Sequence, residues 1–229
     1  MALSPALRAH ARLPLALIGV AGVLCVTSAW APPAGHTSWA LEVGPGLLGI
    51  AALVALYPRL PLSHWVYAGV LLHLCILIYG GMYTYAETPL GNWARDTFGW
   101  SRNHYDRVGH LALGVFPCFT VREVLLRQTP LRRGGWLYFL IQCVVLAVAA
   151  FWELLEWWVT LVVAGDTGTA FLGSQGDVWD AQWDMLLALV GSMLACWLFG
   201  AAHDRSMALV PPPDVHRVEA VVPPPPSGP

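Results

Sequence analysis

Arg102-Asn103-His104-Tyr105-Asp106-Arg107-Val108-Gly109-His110 runs without a break into Leu111-Ala112-Leu113-Gly114-Val115-Phe116. Read as the opening of a helix, this stretch puts Asp106 and His110 four residues apart and therefore on one face. The helix is apolar enough to enter a membrane, so a carboxylate and an imidazole are carried below its surface. Ionisable groups at that depth are costly and normally have partners and a role. Other spans must then bring partners to the same level.

The composition sets the class. Of 229 residues, 57% are hydrophobic and only 11% charged, against about 25% charged in an ordinary globular domain. Long apolar runs recur, which places the chain among integral membrane proteins. All of the basic residues are arginine, and the formal net charge of -2 gives no basic footprint for nucleic acid. The five cysteines stand singly in apolar runs without C-x-x-C spacing. Neither a disulfide frame nor a thiolate metal site is expected from them.

The apolar runs predict an all-α, polytopic membrane helical bundle of about six transmembrane helices. The expected spans are Leu13 to Ala31, Trp39 to Tyr57, Val66 to Tyr85, Tyr105 to Leu126, Trp136 to Val163 and Trp179 to Ala201. Residues 1–12 form an N-terminal segment, 13–203 the membrane domain, and 204–229 a proline-rich tail expected to be extended and disordered. Residues 86–103 read as a mixed loop. Ala29-Trp30-Ala31 has the form of a signal-peptide cleavage site, but Pro32-Pro33 follow where a cut would fall, so retention as a first span is favoured. Arginines set the orientation. With both termini in the cytoplasm, Arg8, Arg12, Arg59, Arg122, Arg127, Arg132, Arg133, Arg205 and Arg217 lie inside, while Arg95, Arg102 and Arg107 lie outside. Trp30, Trp39, Trp65, Trp100, Trp136 and Trp179 fall near span ends, as an interfacial belt requires.

In that orientation four spans deliver acids or imidazoles to the outer third. The fourth brings His104, Asp106 and His110. The fifth brings Glu153 and Glu156 at i, i+3, and the sixth brings Asp177, Asp180 and Asp184 at three and four; Glu42 starts the second. Basic residues to neutralise them are few, so either protons or cations must compensate the charge. A set drawn from Asp106, His110, Glu153, Glu156, Asp180 and Asp184 has the mixed oxygen and nitrogen character of di-metal carboxylate sites in helix bundles. It suits a divalent metal such as Mn, Fe, Zn or Mg, with His104 or His110 as ligand or general base. The competing reading is a protonated, hydrogen-bonded network that fixes helix packing. For single residues that reading is preferred. His73 is expected to be structural, Glu123 to pair with Arg122 and Arg127, and Asp177 to cap the sixth span. Trp152, Trp157, Trp158, Trp179 and Trp183 are expected to be interfacial anchors.

At these residues the sequence resembles the YjdF-like family of bacterial inner-membrane proteins, a domain of unknown function. The stretches that carry the resemblance are Tyr83-Thr84-Tyr85-Ala86-Glu87-Thr88-Pro89-Leu90-Gly91, Arg102-Asn103-His104-Tyr105-Asp106-Arg107 with Gly109-His110, Glu153-Leu154-Leu155-Glu156-Trp157-Trp158, Gly173-Ser174-Gln175-Gly176-Asp177, and Trp179-Asp180 with Gln182-Trp183-Asp184-Met185. They span roughly residues 38–200, leaving the first span and the tail outside. Relatives often carry a His just before the Tyr-Thr-Tyr-Ala run, where this chain has Met82, so the resemblance brings no ligand on the third span. It implies a multi-pass inner-membrane protein and no established reaction. A fainter likeness is to the VanZ-like family, through Asp106-Arg107 with His110, Glu153 with Glu156, and Asp180 with Asp184, the last two pairs carrying acids where that family has amides. It hints at a lipid-linked envelope substrate. Three functions follow as expectations: a metal-assisted enzyme on an envelope lipid, a proton-coupled transporter using the same carboxylates, or a non-catalytic membrane scaffold.

Overall fold

Each long apolar run forms a helix. The computed structural model describes residues 3–163 and 171–213. Its helices are α1 (Pro5–Ala29), α2 (His36–Leu56), α3 (His64–Tyr83), α4 (Pro89–Phe98), α5 (Tyr105–Val115), α6 (Pro117–Gln128), α7 (Gly135–Val162) and α8 (Asp180–Met207). No strand occurs among the described residues. With α5 and α6 counted as one crossing, 6 helical runs are long and apolar enough to span a membrane. The fold is an all-α polytopic bundle.

Several boundaries differ from expectation. The first helix begins at Pro5, with Ser4 as its N-cap accepting a 3.3 Å bond from the Leu7 amide, so it takes in most of the segment assigned to residues 1–12. Proline at the first helical turn lacks a donor that would be unsatisfied anyway, and Ser is a preferred cap. The last helix runs past the expected end at Ala201 to Met207, and residues 214–229 of the proline-rich tail lie outside the described residues. The region 86–103 is not simply a loop. It holds a short 3₁₀ turn over Tyr85–Glu87 and then α4, an amphipathic helix opened by Pro89 and closed by left-handed Gly99. The fourth crossing is broken at Phe116, because Pro117 has no N–H to give the carbonyl of Leu113.

Close helix approach organises the centre. α5 and α8 share the most extensive contact in the bundle. A Cβ on Gly114 would collide with the Ala188 carbonyl and lie 2.9 Å from the Ser192 amide, and one on Gly191 would strike the Leu111 carbonyl. Two backbones touch because small residues face one another, the usual device where apolar lipid removes the drive to hide large side chains. α1 and α2 both pack mainly on α3, and α2 shows most of its surface to the surroundings.

At the end where α3 starts and α8 finishes, a buried network ties three elements together. Glu123 accepts from the Ser63 amide at 2.9 Å, from Arg127 Nη1 at 2.8 Å and from His203 Nε2 at 3.1 Å. The expected Arg127 partner is present. Arg122 instead turns to Asp204 at 2.7 Å and to His203 Nδ1 at 3.0 Å. Since a guanidinium can only donate, His203 carries its proton on Nε2. Glu123, Arg127 and His203 all find their partners within it, which is the pattern of a structural network.

Candidate functional site

The opposite end holds the polar cluster. Helices α5, α7 and α8, the last two antiparallel, place their acids and one imidazole at a common level. Asp106, His110 and Glu156 present ligand atoms within 4.8 Å of one another, as do His110, Glu153 and Asp184, and as do Asp106, Asp180 and Asp184. His110 Nε2 lies 3.7 Å from Asp106 Oδ1 and 3.4 Å from Glu153 Oε1. The i, i+3 and i, i+4 spacings read from the chain thus bring together Asp106, His110, Glu153, Glu156, Asp180 and Asp184. His104 is not among them. It sits just before α5, half-buried, edge-on to Trp100, with Nδ1 3.3 Å from Arg107 Nη1. Two residues of separation turn it away from the face of Asp106.

Loop pairing sets the register of α5 against α8. The Gln175 side chain donates to the Asn103 carbonyl at 2.8 Å and accepts from its amide at 3.0 Å. Asn103 is wholly buried; its Oδ1 takes the Tyr105 amide at 2.9 Å and its Nδ2 bonds the Thr88 carbonyl at 3.1 Å. Gly173 and Gln175 both adopt positive φ, at 66° and 48°, which folds this segment back over Asp106. Neither amide was singled out as a site residue, because a pairing across 72 residues leaves no local pattern.

The expected scarcity of positive charge needs correction. Arg102 is buried and bonds Asp180 at 2.5 Å, with Asp177 3.6 Å away and the carbonyls of Ser174 and Gly173 at 3.2 and 3.3 Å. Arg107 bonds Asp177 at 2.6 Å. Asp177 also accepts from the Trp179 amide at 2.9 Å, but Trp179 is the N-cap of α8 and the helix has no side-chain cap, so the expected capping role is replaced by a turn just before the helix. These two guanidiniums neutralise the outer pair, Asp177 and Asp180. Deeper in, none reaches the others. Asp184 Oδ1, Glu153 Oε1 and His110 Nδ1 are buried with no hydrogen-bond partner among the described residues. Asp184 is 1% exposed.

Two aromatic groups belong to the site. Trp152, expected as an interfacial anchor, donates its indole N–H to Glu156 Oε1 at 2.7 Å. Tyr85 slots its ring into space left by glycines on α3 and α5; a Cβ on Gly109 would be 2.6 Å from it. It is turned inward by Thr84 at φ 60°, a conformation costing a non-glycine residue about 1–3 kcal/mol. Burial, and then the Glu42 carboxyl, push the Tyr85 phenol far above its usual range, so it remains a neutral donor. The clue in the chain was Thr84-Tyr85 inside a family motif, with no spacing rule to expose it. Among the tryptophans assigned to the belt, Trp30, Trp100, Trp136 and Trp179 are exposed. Trp39 instead donates to Ser28 at 3.0 Å, and Trp65 packs on Phe119 and Phe199.

One side of the cluster opens on a cavity of about 530 Å³, which Glu153, Asp180 and Asp184 do not line. Glu42, Tyr85, Asp106, His110 and Glu156 form its polar end, and His73 lies further along its wall, stacked on Phe116.

His104 offers a pH test outside the spans. Burial first, then the Arg107 and Arg102 guanidiniums, hold its imidazole below the ordinary value. The unfolded chain therefore takes up this proton first as the pH falls below about 6.5. Stability contributed by neutral His104 is full above that pH and lost below it. Thermal unfolding of detergent-solubilised protein at stepped pH should show a decline that His104→Gln makes shallower; parallel profiles would remove the effect.

Comparison with known proteins agrees with the architecture. A family described as "Predicted membrane protein (DUF2238)" matches residues 13–205, so the first span lies within the family region and not outside it. The chain is 39% identical over 170 residues to "Inner membrane protein YjdF" of Escherichia coli (strain K12), covering 74% of this chain and 81% of that protein. No solved structure gives a significant match. A 6-span apolar bundle and an inner-membrane relative of this identity make it a multi-pass inner-membrane protein. The chain belongs to the DUF2238 family of membrane proteins.

Proposed function

We propose that the protein is a metal-assisted enzyme acting on an envelope lipid, with a divalent cation held by His110, Glu153 and Asp184 and flanked by Asp106, Glu156 and Asp180. One observation carries this reading. Donor atoms from α5, α7 and α8 converge within 4.8 Å, with buried polar atoms on all three residues left unpartnered. Buried acids in such proximity are strongly unfavourable without compensation. A divalent cation held through His110 Nε2 supplies it and satisfies the Glu153 and Asp184 oxygens at once. Carboxylate oxygens with one imidazole suit Mn, Fe, Zn or Mg. Asp180 contributes least, since Arg102 already occupies one of its oxygens.

A cation there would supply Lewis acidity toward a phosphoryl or carbonyl oxygen and an activated water. The chain's own groups do the rest. Asp106 and Glu156 front the cavity, Trp152 fixes the rotamer of Glu156, and Tyr85 offers a neutral O–H to an approaching oxygen. A proton relay through the membrane is supported less well. Beyond His73 the cavity wall is almost wholly apolar, Thr120 being the exception, and Glu123 and His203 at the other end are already partnered.

Elemental analysis of detergent-purified protein tests the reading. Stoichiometric divalent metal is expected, with loss of about one equivalent in Asp184→Asn and in Glu153→Gln while the elution profile is kept. Metal-free wild-type protein after supplementation with each cation would overturn it.

A further inference from the structure

We infer that the cavity between α2 and α7 seats one hydrocarbon chain of a membrane amphiphile, entered sideways from the bilayer, with an oxyanion-bearing head against Asp106, His110 and Glu156. The head-group part rests on the proposed cation; the chain part stands on geometry alone.

The walls come from spans. On α2, Gly46, Gly49 and Ala52 repeat every third residue and line the space, with Leu53 beside them. A Cβ on Gly49 would meet nothing within 4 Å. Small side chains on this face are why room exists. The far wall is Leu113, Phe116, Pro117 and Val121, where Pro117 interrupts the fourth crossing. Val148, Trp152 and Glu156 of α7 close the third side. α2 packs mainly on α3, leaving the α2–α7 side to the surrounding lipid.

Polarity runs one way. Acids, the imidazole and the Tyr85 hydroxyl lie at one end, and beyond His73 the lining is almost wholly apolar. A solute polar throughout would lose hydration along that wall without replacement, whereas an amphiphile matches it. At about 530 Å³ the space falls in the range of about 300–1,000 Å³ typical of ligand sites. Bare carboxylates repel an oxyanion, and a cation among them reverses that sign, which joins the head to the metal reading.

The test uses the full chain in lipid nanodiscs with two probes, a phospholipid carrying a mid-chain diazirine and a polyprenyl phosphate carrying the same group. Photolysis and peptide mapping should place the label on the Gly46–Leu53 face of α2 and on Leu113 or Val121. Gly49→Trp, which fills the space without touching the cluster, should cut that label by about tenfold and leave metal content unchanged. Labelling by one probe alone identifies the source of the chain, and labelling by both assigns the shared hydrocarbon. Label spread evenly over lipid-facing positions such as Val23 and Trp197, unmoved by Gly49→Trp, overturns the site. Specific labelling of metal-free protein would sink the cation and keep the chain site.

Discussion

Gly114→Ala should cost at least about 3 kcal/mol and prevent recovery of a monodisperse protein. The added methyl would collide with the Ala188 carbonyl and sit 2.9 Å from the Ser192 amide. Both are backbone atoms, so no side chain can rotate aside, and relief requires α5 and α8 to separate. Overpacking a core costs about 1–3 kcal/mol where side chains yield; here they cannot. That separation would also move Asp106 and His110 away from Asp184. Gly22→Ala is the control, because a Cβ there meets nothing within 4 Å, and replacing a mid-helix glycine should stabilise by up to about 1 kcal/mol. Thermal unfolding in detergent by size exclusion reads both. Equal behaviour of the two variants would refute the close crossing.

Arg102→Ala should be nearly as damaging. Arg102 and Asp180 bond at 2.5 Å with side chains only 7% and 10% exposed, and Arg102 also serves two carbonyls of the segment before α8. Removing one member of a buried ion pair leaves an uncompensated charge, at about 3–5 kcal/mol. Replacing both partners should restore much of this, so a cycle of Arg102→Ala, Asp180→Ala and the double variant should show strong coupling. Additive losses would mean that the guanidinium serves the loop and not the acid.

The spans were legible because lipid leaves so few ways to hide backbone polarity that a long apolar run is almost a helix by necessity. The convergence of Asp106, His110, Glu153, Glu156, Asp180 and Asp184 was legible too, because acids at i, i+3 and i, i+4 share a face and antiparallel helices return to one level. What escaped notice was long-range or local to a break. Arg102 was counted only for orientation, although it reaches Asp180 across 78 residues. The α4 helix, only 10 residues long and amphipathic, lacked the apolar run used to find its neighbours. Pro117 carried no spacing signal, yet it interrupts the fourth crossing where that crossing lines the cavity. Trp152 illustrates a rule over-applied: a tryptophan near a span end is usually an anchor, but this one steers a carboxylate.

The most direct measurement is pulsed electron paramagnetic resonance of manganese(II) bound to the detergent-purified protein. The account predicts hyperfine coupling to a single imidazole nitrogen, abolished in His110→Gln and retained in His104→Gln. A spectrum of manganese coordinated by water alone, or nitrogen coupling that survives His110→Gln, would contradict it.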